Sequence, residues 1–252
     1  MTFSDSFGFR PKTLGLIIIG LVLLYLGYTS VRKLRVDALG RTAMLKSDPT
    51  LVGKLASYGG ERSADLLLVV AGGPAPLPNR IAAIHALVDR KDVALVSRVS
   101  ALLVPPEPLE VRQAIAQALY ATGCSPECVK NVLYYEERMA EGARPAEEVH
   151  SDPPKSLSQT EQQLIGVLDE VLRKNKNSLE IVLGQVYGLN TSFPSSFAIQ
   201  TVERLDVKAA CPALIHTLLN QNPEVRNSPE YQEVAQAVKI LQCVNTEPAP
   251  PQ

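Results

Sequence analysis

The residues of this 252-residue chain best suited to chemistry are its four cysteines, two of which are close in sequence. Cys124 and Cys128 are separated by Ser-Pro-Glu. A serine followed by proline is typical of a helix N-cap and the first helical position. Cys124 would therefore lie just outside a helix and Cys128 in its first turn, where a disulfide is sterically feasible. A reactive thiolate at the helix N-terminus, which would support redox catalysis, is the alternative.

The other two cysteines are Cys211, before the first turn of one predicted helix, and Cys243, at the end of the next. Antiparallel packing of these helices would bring the two residues together. Of the three pairings that four cysteines allow, we expect Cys124–Cys128 and Cys211–Cys243. Disulfides are typical of an oxidising compartment. Buried free thiols that pack as small hydrophobic residues are the alternative.

Other patterns of catalysis or ligand binding are missing from the sequence. It contains neither a glycine-rich phosphate-binding loop nor a nucleophile elbow. His85, His150 and His216 are scattered, which argues against a zinc site or a catalytic base. The net charge of −1 gives no reason to expect nucleic-acid binding. We therefore expect no catalytic, cofactor-binding or metal-binding residues. Asn190 begins a glycosylation sequon, which matters only in a eukaryotic secretory protein.

A long uncharged run near the N-terminus, Thr13–Val31, is the strongest structural signal in the chain. As a helix it would span about 28 Å, close to the ~30 Å hydrocarbon core of a bilayer. No cleavage site of small residues follows it, so we expect a single transmembrane anchor in contact with membrane lipid rather than a signal peptide. The residues expected at the membrane interface are aromatic or basic: Tyr25, Tyr28, Arg32, Lys33 and Arg35.

The side of the membrane on which the soluble domain lies is indicated by two opposing signals. The basic residues after the run favour a cytoplasmic domain by the positive-inside rule. The short basic head, residues 1–12, resembles that of a signal anchor, and the cysteine spacing favours an oxidising compartment. We expect an extracytoplasmic domain, periplasmic in a bacterium, with a cytoplasmic domain as the alternative.

The rest of the chain is predicted to be all-α, because apolar residues recur at helical spacing. A basic juxtamembrane segment, 32–62, precedes helical repeats over 63–140 and 158–245. A polar, proline-containing loop at 141–157 separates the two sets, and a disordered tail at 246–252 follows them. Long inserted loops are often functional, so residues 141–157 are a candidate contact surface.

Two predicted helices share a repeated pattern. Arg80–Leu87 aligns with Arg112–Leu119 at an offset of 32 residues, with an arginine that opens the helix and Ala-x-x-x-Ala-Leu on its buried face. Residues 198–218 contain a weaker third copy. This pattern resembles HEAT repeats, of the armadillo-like group. The resemblance implies an α-solenoid that binds proteins, and it supplies no catalytic residues; an irregular helical array is the alternative.

These features together predict a membrane-anchored, non-catalytic scaffold or adaptor that binds a protein partner. Tyr134–Arg138 combines tyrosines with charge, which can anchor a partner, although tyrosines that cap the core are the default interpretation. Two other functions remain open. One is a thiol-redox or other enzyme that uses Cys124 and Cys128, and the other is an accessory subunit of an envelope transport or secretion assembly.

Overall fold

The structure, a computed structural model, describes residues 11–104, 107–143 and 157–243, without the side chains of residues 11–17, 141–143 and 223. Within these ranges the chain is all-α, as predicted, and forms no strand. The predicted tail, nearly all of the polar head and most of the loop at 141–157 lie outside the described residues.

The helices of the described residues divide into two compact units, Met1–Ala86 (unit 1) and Leu87–Gln252 (unit 2). The predicted repeats at 63–140 therefore extend over both units. The helix bounds are α1 Pro11–Leu45, α2 Pro49–Ser57, α3 Gly60–Gly72, α4 Leu77–Val88, α5 Val93–Val99, α6 Leu109–Thr122, α7 Pro126–Ala143, α8 Gln159–Lys174, α9 Lys176–Gln185, α10 Ser196–Arg204, α11 Cys211–Leu219 and α12 Pro229–Ile240.

In unit 1 the C-terminal part of α1 packs against α2 and α3. The buried Asn79, in α4, donates from its amide nitrogen to the carbonyl oxygens of Ala43 (2.7 Å) and Lys46 (2.6 Å). Carbonyls at the end of a helix have no partner within it, so Asn79 satisfies this end of α1. The core consists of apolar side chains from the first three helices: Val36, Ala43, Val52, Leu55, Leu67 and Val70.

The preceding part of α1 carries apolar side chains that contact little of the protein. They are between 50 % and 73 % exposed, and they are Ile18, Ile19, Leu21, Val22, Leu23, Leu24, Leu26, Val31 and Leu34. Among the residues whose side chains are described, no helix has both the length and the apolar character needed to cross a membrane. The predicted anchor begins at Thr13, and its first residues lie outside the described side chains. The transmembrane anchor therefore stays a prediction.

Unit 2 is built from helix pairs, with α6 on α8, α7 on α9, and both α10 and α11 on α12. Local sequence signals determine where several helices begin and end. Gly123 ends α6 with φ +96°, a backbone conformation that favours glycine. Ser158 and Glu161 form the predicted capping box of α8, and Ser228 caps α12. The core is mainly aliphatic: Ile115, Leu119, Leu133, Leu164, Leu168, Leu172, Leu214 and Val234.

The two arginines of the repeated pattern have the same structural role. Arg80 and Arg112 are both only 8 % exposed. The Nε atom of Arg80 donates to the carbonyl oxygen of Ala71 (2.7 Å), and that of Arg112 donates to the carbonyl oxygen of Glu107 (3.1 Å). Each arginine thus stabilises the segment that precedes its own helix. The resemblance to HEAT repeats itself stays a prediction.

The alanines of the pattern differ between its two copies. In α6 both Ala114 and Ala118 are buried, as the pattern predicts. In α4 Ala82 and Ala86 are only half-buried, and the neighbouring Ala83 is fully buried instead. The helix α4 therefore buries a different face from the one that the alignment with α6 predicts.

We expect Ala118→Leu to destabilise unit 2 by about 1–3 kcal/mol, because three added carbons must be accommodated in a packed core. Gln117→Leu is the matched control, since it introduces the same residue at an exposed position of the same helix. Thermal unfolding, followed by circular dichroism, measures the melting temperatures of both variants. Equal melting temperatures for the two variants would show that α6 buries a different face.

Candidate functional site

A groove of about 770 Å³ lies in unit 2 beside α7 and the connection from α9 to α10. We call it the aromatic groove. Its volume falls within the range of about 300–1,000 Å³ that is usual for ligand sites. Three aromatic rings lie among its lining residues, which are Lys130, Asn131, Tyr134, Glu137, Val186, Tyr187, Gly188, Phe193 and Ser195.

One wall of the aromatic groove is a single face of α7. Lys130, Tyr134 and Glu137 lie at positions i, i+4 and i+7, which a helix places on the same side. Tyr134 is 46 % exposed, and the guanidinium carbon of Arg138 lies 5.9 Å from the centroid of its ring. The next residue, Tyr135, is completely buried. Tyr135 thus serves the core, whereas Tyr134 is available for contact.

The opposite wall, residues 186–195, is held by hydrogen bonds to its own backbone and to α11. Gly188 has φ +67°, and the Thr191 hydroxyl lies 2.7 Å from its carbonyl oxygen. The hydroxyl of Thr217 donates to the carbonyl oxygen of Thr191 at 3.1 Å. Phe193 is nevertheless 40 % exposed. The loop therefore presents an exposed ring on an ordered backbone, which lowers the entropy lost on binding.

Tyr187 lies at the base of this loop and links it to α10. Its ring centroid is 5.2 Å from that of Phe197. Burial raises the pKa of the Tyr187 hydroxyl, and the neighbouring carboxylate of Glu137 raises it further. The hydroxyl therefore stays protonated in the physiological range and can donate a hydrogen bond. The groove thus combines apolar rings with a few polar groups, an arrangement suited to ligand binding.

The four cysteines lie in the two pairs that the sequence predicts, at disulfide distance. The Cα atoms of Cys124 and Cys128 are 5.4 Å apart, and those of Cys211 and Cys243 are 5.3 Å apart. The backbone nitrogen of Cys128 donates to the Ser125 hydroxyl at 3.3 Å, as expected for an N-cap. Both members of the first pair are buried. Because a redox-active thiol must be accessible, burial favours a structural role for this pair.

A buried ion pair in unit 2 was not predicted from the sequence. The side chain of Glu136 is 3 % exposed, and its Oε2 atom lies 2.7 Å from Nη2 of Arg204. The other terminal nitrogen of Arg204 contacts Asp169. Burial raises the pKa of Glu136, and the positive charge of Arg204 opposes this rise. Its Oε1 atom has no hydrogen-bond partner among the described residues. Glu136 also lines a cavity of about 160 Å³.

The remaining residues singled out in the sequence do not form a site with one another. The five residues expected at the membrane interface are exposed on α1. His85 and His216 are exposed, and His150 lies outside the described residues. In the ranges that the structure describes, no group of His, Cys, Asp or Glu side chains is placed to hold a metal ion. Asn190, of the sequon, is exposed in the loop that carries Phe193.

Comparison with protein-family models, with curated proteins and with solved structures found no match to this chain. The assignment of function therefore depends on the geometry and chemistry described above.

Proposed function

We propose that this protein is a single-pass, membrane-anchored adaptor that binds an extended segment of a partner protein in the aromatic groove. The observation that carries the proposal is the pair of exposed rings, Tyr134 and Phe193, in a groove of about 770 Å³. Aromatic side chains are enriched at protein interfaces, and tyrosine is among the residues that contribute most to binding energy there.

The composition of the groove supports a peptide as its occupant. Aromatic side chains offer a large contact area at low cost in rotamer entropy, and tyrosine adds a polar atom to that area. Lys130 and Glu137 supply one positive and one negative charge on the same wall. A peptide backbone and a side-chain anchor could use all of these groups, since interfaces combine an apolar centre with polar contacts at the rim.

Membrane anchoring is supported by the uncharged run Thr13–Val31 and by the exposed apolar side chains that follow from Ile18 onward in α1. The transfer of these side chains from water to lipid is favourable, because it removes apolar surface from water. Anchoring would also raise the concentration of the groove near partners in the same membrane. The two cysteine pairs at disulfide distance support an extracytoplasmic location for the soluble part.

Site-specific photo-crosslinking in intact membranes tests the groove. A photoreactive phenylalanine analogue in place of Val186, which lines the groove and is 50 % exposed, should form an adduct with the partner. Addition of Phe193→Ala should reduce the adduct at least tenfold, because loss of a central ring costs about 2 kcal/mol or more.

The same analogue in place of Ile240, which is equally exposed in α12, is the control and should not form that adduct. An adduct that persists with Phe193→Ala, or that forms equally from position 240, would contradict binding in the groove. The identity of the captured protein also distinguishes a free-standing adaptor from an accessory subunit of a transport or secretion assembly.

A further inference from the structure

We infer that a basic cleft between α1 and α2 binds the phosphate group of an anionic membrane phospholipid. This inference rests on the proposed membrane anchoring. The cleft consists of two adjoining cavities, of about 470 and 580 Å³, which share Arg35, Ser57 and Tyr58. Arg32 and Tyr28 line the first cavity, and Lys54 lines the second. No carboxylate is present among the described residues that line either one.

The charge of the cleft is available to an anion. Arg32 donates to the carbonyl oxygen of Tyr58 and so offsets the negative end of α2. Arg35 and Lys54 are exposed, and neither forms a salt bridge with a described residue. Lys54 has a weaker electrostatic interaction with Asp48, which helps to lower the pKa of that carboxyl. The carboxylate nearest to Arg35 in sequence is that of Asp37, and it is paired with Arg62 at 2.8 Å. Two residues correspond to about 200° of helical rotation, so Asp37 points away from Arg35.

The position of the cleft along α1 matches the depth of lipid phosphates. Arg35 lies four residues beyond Val31, the last residue of the uncharged run, which corresponds to about 6 Å along the helix axis. The polar layer of a bilayer is about 5–8 Å thick on each side of the hydrocarbon core. An anchor that ends at Val31 would therefore hold Arg35 in the headgroup layer. The hydroxyls of Tyr28 and Tyr58 could donate to phosphate oxygens there.

A lipid, rather than a free phosphate, is favoured by the surface next to the cleft. Val31 lines the first cavity and is 50 % exposed, and the apolar side chains of α1 continue from it toward the N-terminus. An acyl chain could lie along this surface while its phosphate occupies the cleft. A soluble phosphate ester would use only the polar half of the site.

The test is a lipid titration of the full chain, purified in a neutral detergent, with binding followed by native mass spectrometry. Phosphatidylglycerol, phosphatidylcholine with the same acyl chains, and glycerol phosphate are the three probes. We expect phosphatidylglycerol to bind at least tenfold more tightly than the other two. Arg35→Gln combined with Lys54→Gln should weaken its binding about 30-fold, since each basic residue near lipid phosphates contributes about fivefold.

Lys176→Gln combined with Lys208→Gln is the matched control, because it removes two exposed positive charges from unit 2. An equal loss with the control variant, or a loss below twofold with the cleft variant, would overturn the inference. Glycerol phosphate binding as tightly as the lipid would overturn the lipid as the ligand. Release of the chain from membranes by alkaline carbonate would instead contradict the anchor, and the titration in detergent reports on the cleft independently of that result.

Discussion

Replacement of Arg204 by glutamine is expected to destabilise unit 2 by about 3 kcal/mol near neutral pH, because it leaves the buried carboxylate of Glu136 without its cation. This is the low end of the range for buried pairs, since the Arg204 side chain is itself 35 % exposed. Only 3 % of the Glu136 side chain is exposed, so the carboxylate has little hydration to offset the lost charge. Glutamine keeps much of the length of the arginine side chain, which limits the change in packing. Urea unfolding of the full chain in detergent, followed by circular dichroism, measures the loss.

The loss of stability should depend on pH. Without Arg204, burial acts unopposed and moves the pKa of Glu136 further above its ordinary value of 4.5. Between the ordinary and the raised pKa the folded protein binds more protons than the unfolded chain, so stability falls as pH rises through that window. Acidification toward the ordinary pKa should therefore restore part of the stability of Arg204→Gln.

Glu136→Gln combined with Arg204→Gln is the control for this pH dependence. It removes both charges and should be more stable at neutral pH than Arg204→Gln alone, since a neutral buried pair avoids the unpaired charge. A loss of stability that is the same at acidic and neutral pH would contradict the role assigned to this pair. So would a double variant that is no more stable at neutral pH than Arg204→Gln alone.

Loss of the Cys211–Cys243 bridge is expected to cost about 3–4 kcal/mol, and loss of the Cys124–Cys128 bridge about 2 kcal/mol. The difference follows from loop length, because the separations are 32 and 4 residues and a longer closed loop restricts the unfolded chain more. Alanine at both positions of each pair, followed by urea unfolding under non-reducing conditions, measures the two costs.

The reduced wild-type protein is the reference for these variants. Under reducing conditions the wild type and each alanine pair should differ little in their free energy of unfolding. The remaining difference should be the small cost of the lost sulfur packing. Alkylation in denaturant, before any reductant is added, should find no free thiols in the oxidised protein. Four alkylated cysteines would show that the bridges do not form in the cell, and would favour the cytoplasmic side that the basic residues after the apolar run indicate.

Features set by neighbouring residues could be predicted from the sequence. The capping box at Ser158 and the glycine at position 123 act within one turn of their own helices, so their patterns suffice. The pairing of Cys211 with Cys243 followed from the positions of helix ends. The copies of the repeat were less informative, because Ala82 and Ala83 are the same residue type and the pattern alone could not decide which faces the core.

Features that depend on the fold could not be predicted. Glu136 and Arg204 are 68 residues apart, and neither has a local pattern that distinguishes it from an exposed charge. Phe193 lies in a short segment with the composition of a turn, which gives no sign that its ring lines a groove. The hydrogen bonds from Thr217 and Gln221 that hold this segment come from residues more than twenty positions away.

Alkaline carbonate extraction of membranes from expressing cells tests most directly that α1 holds this protein in a bilayer. The wild type should remain in the membrane pellet. Leu21→Arg combined with Leu24→Arg should be released, since each charge near the bilayer centre costs about 2.5–3.5 kcal/mol. Ile181→Arg combined with Ile240→Arg, at similarly exposed positions of unit 2, should stay in the pellet. Recovery of the wild type in the carbonate supernatant would contradict the anchor.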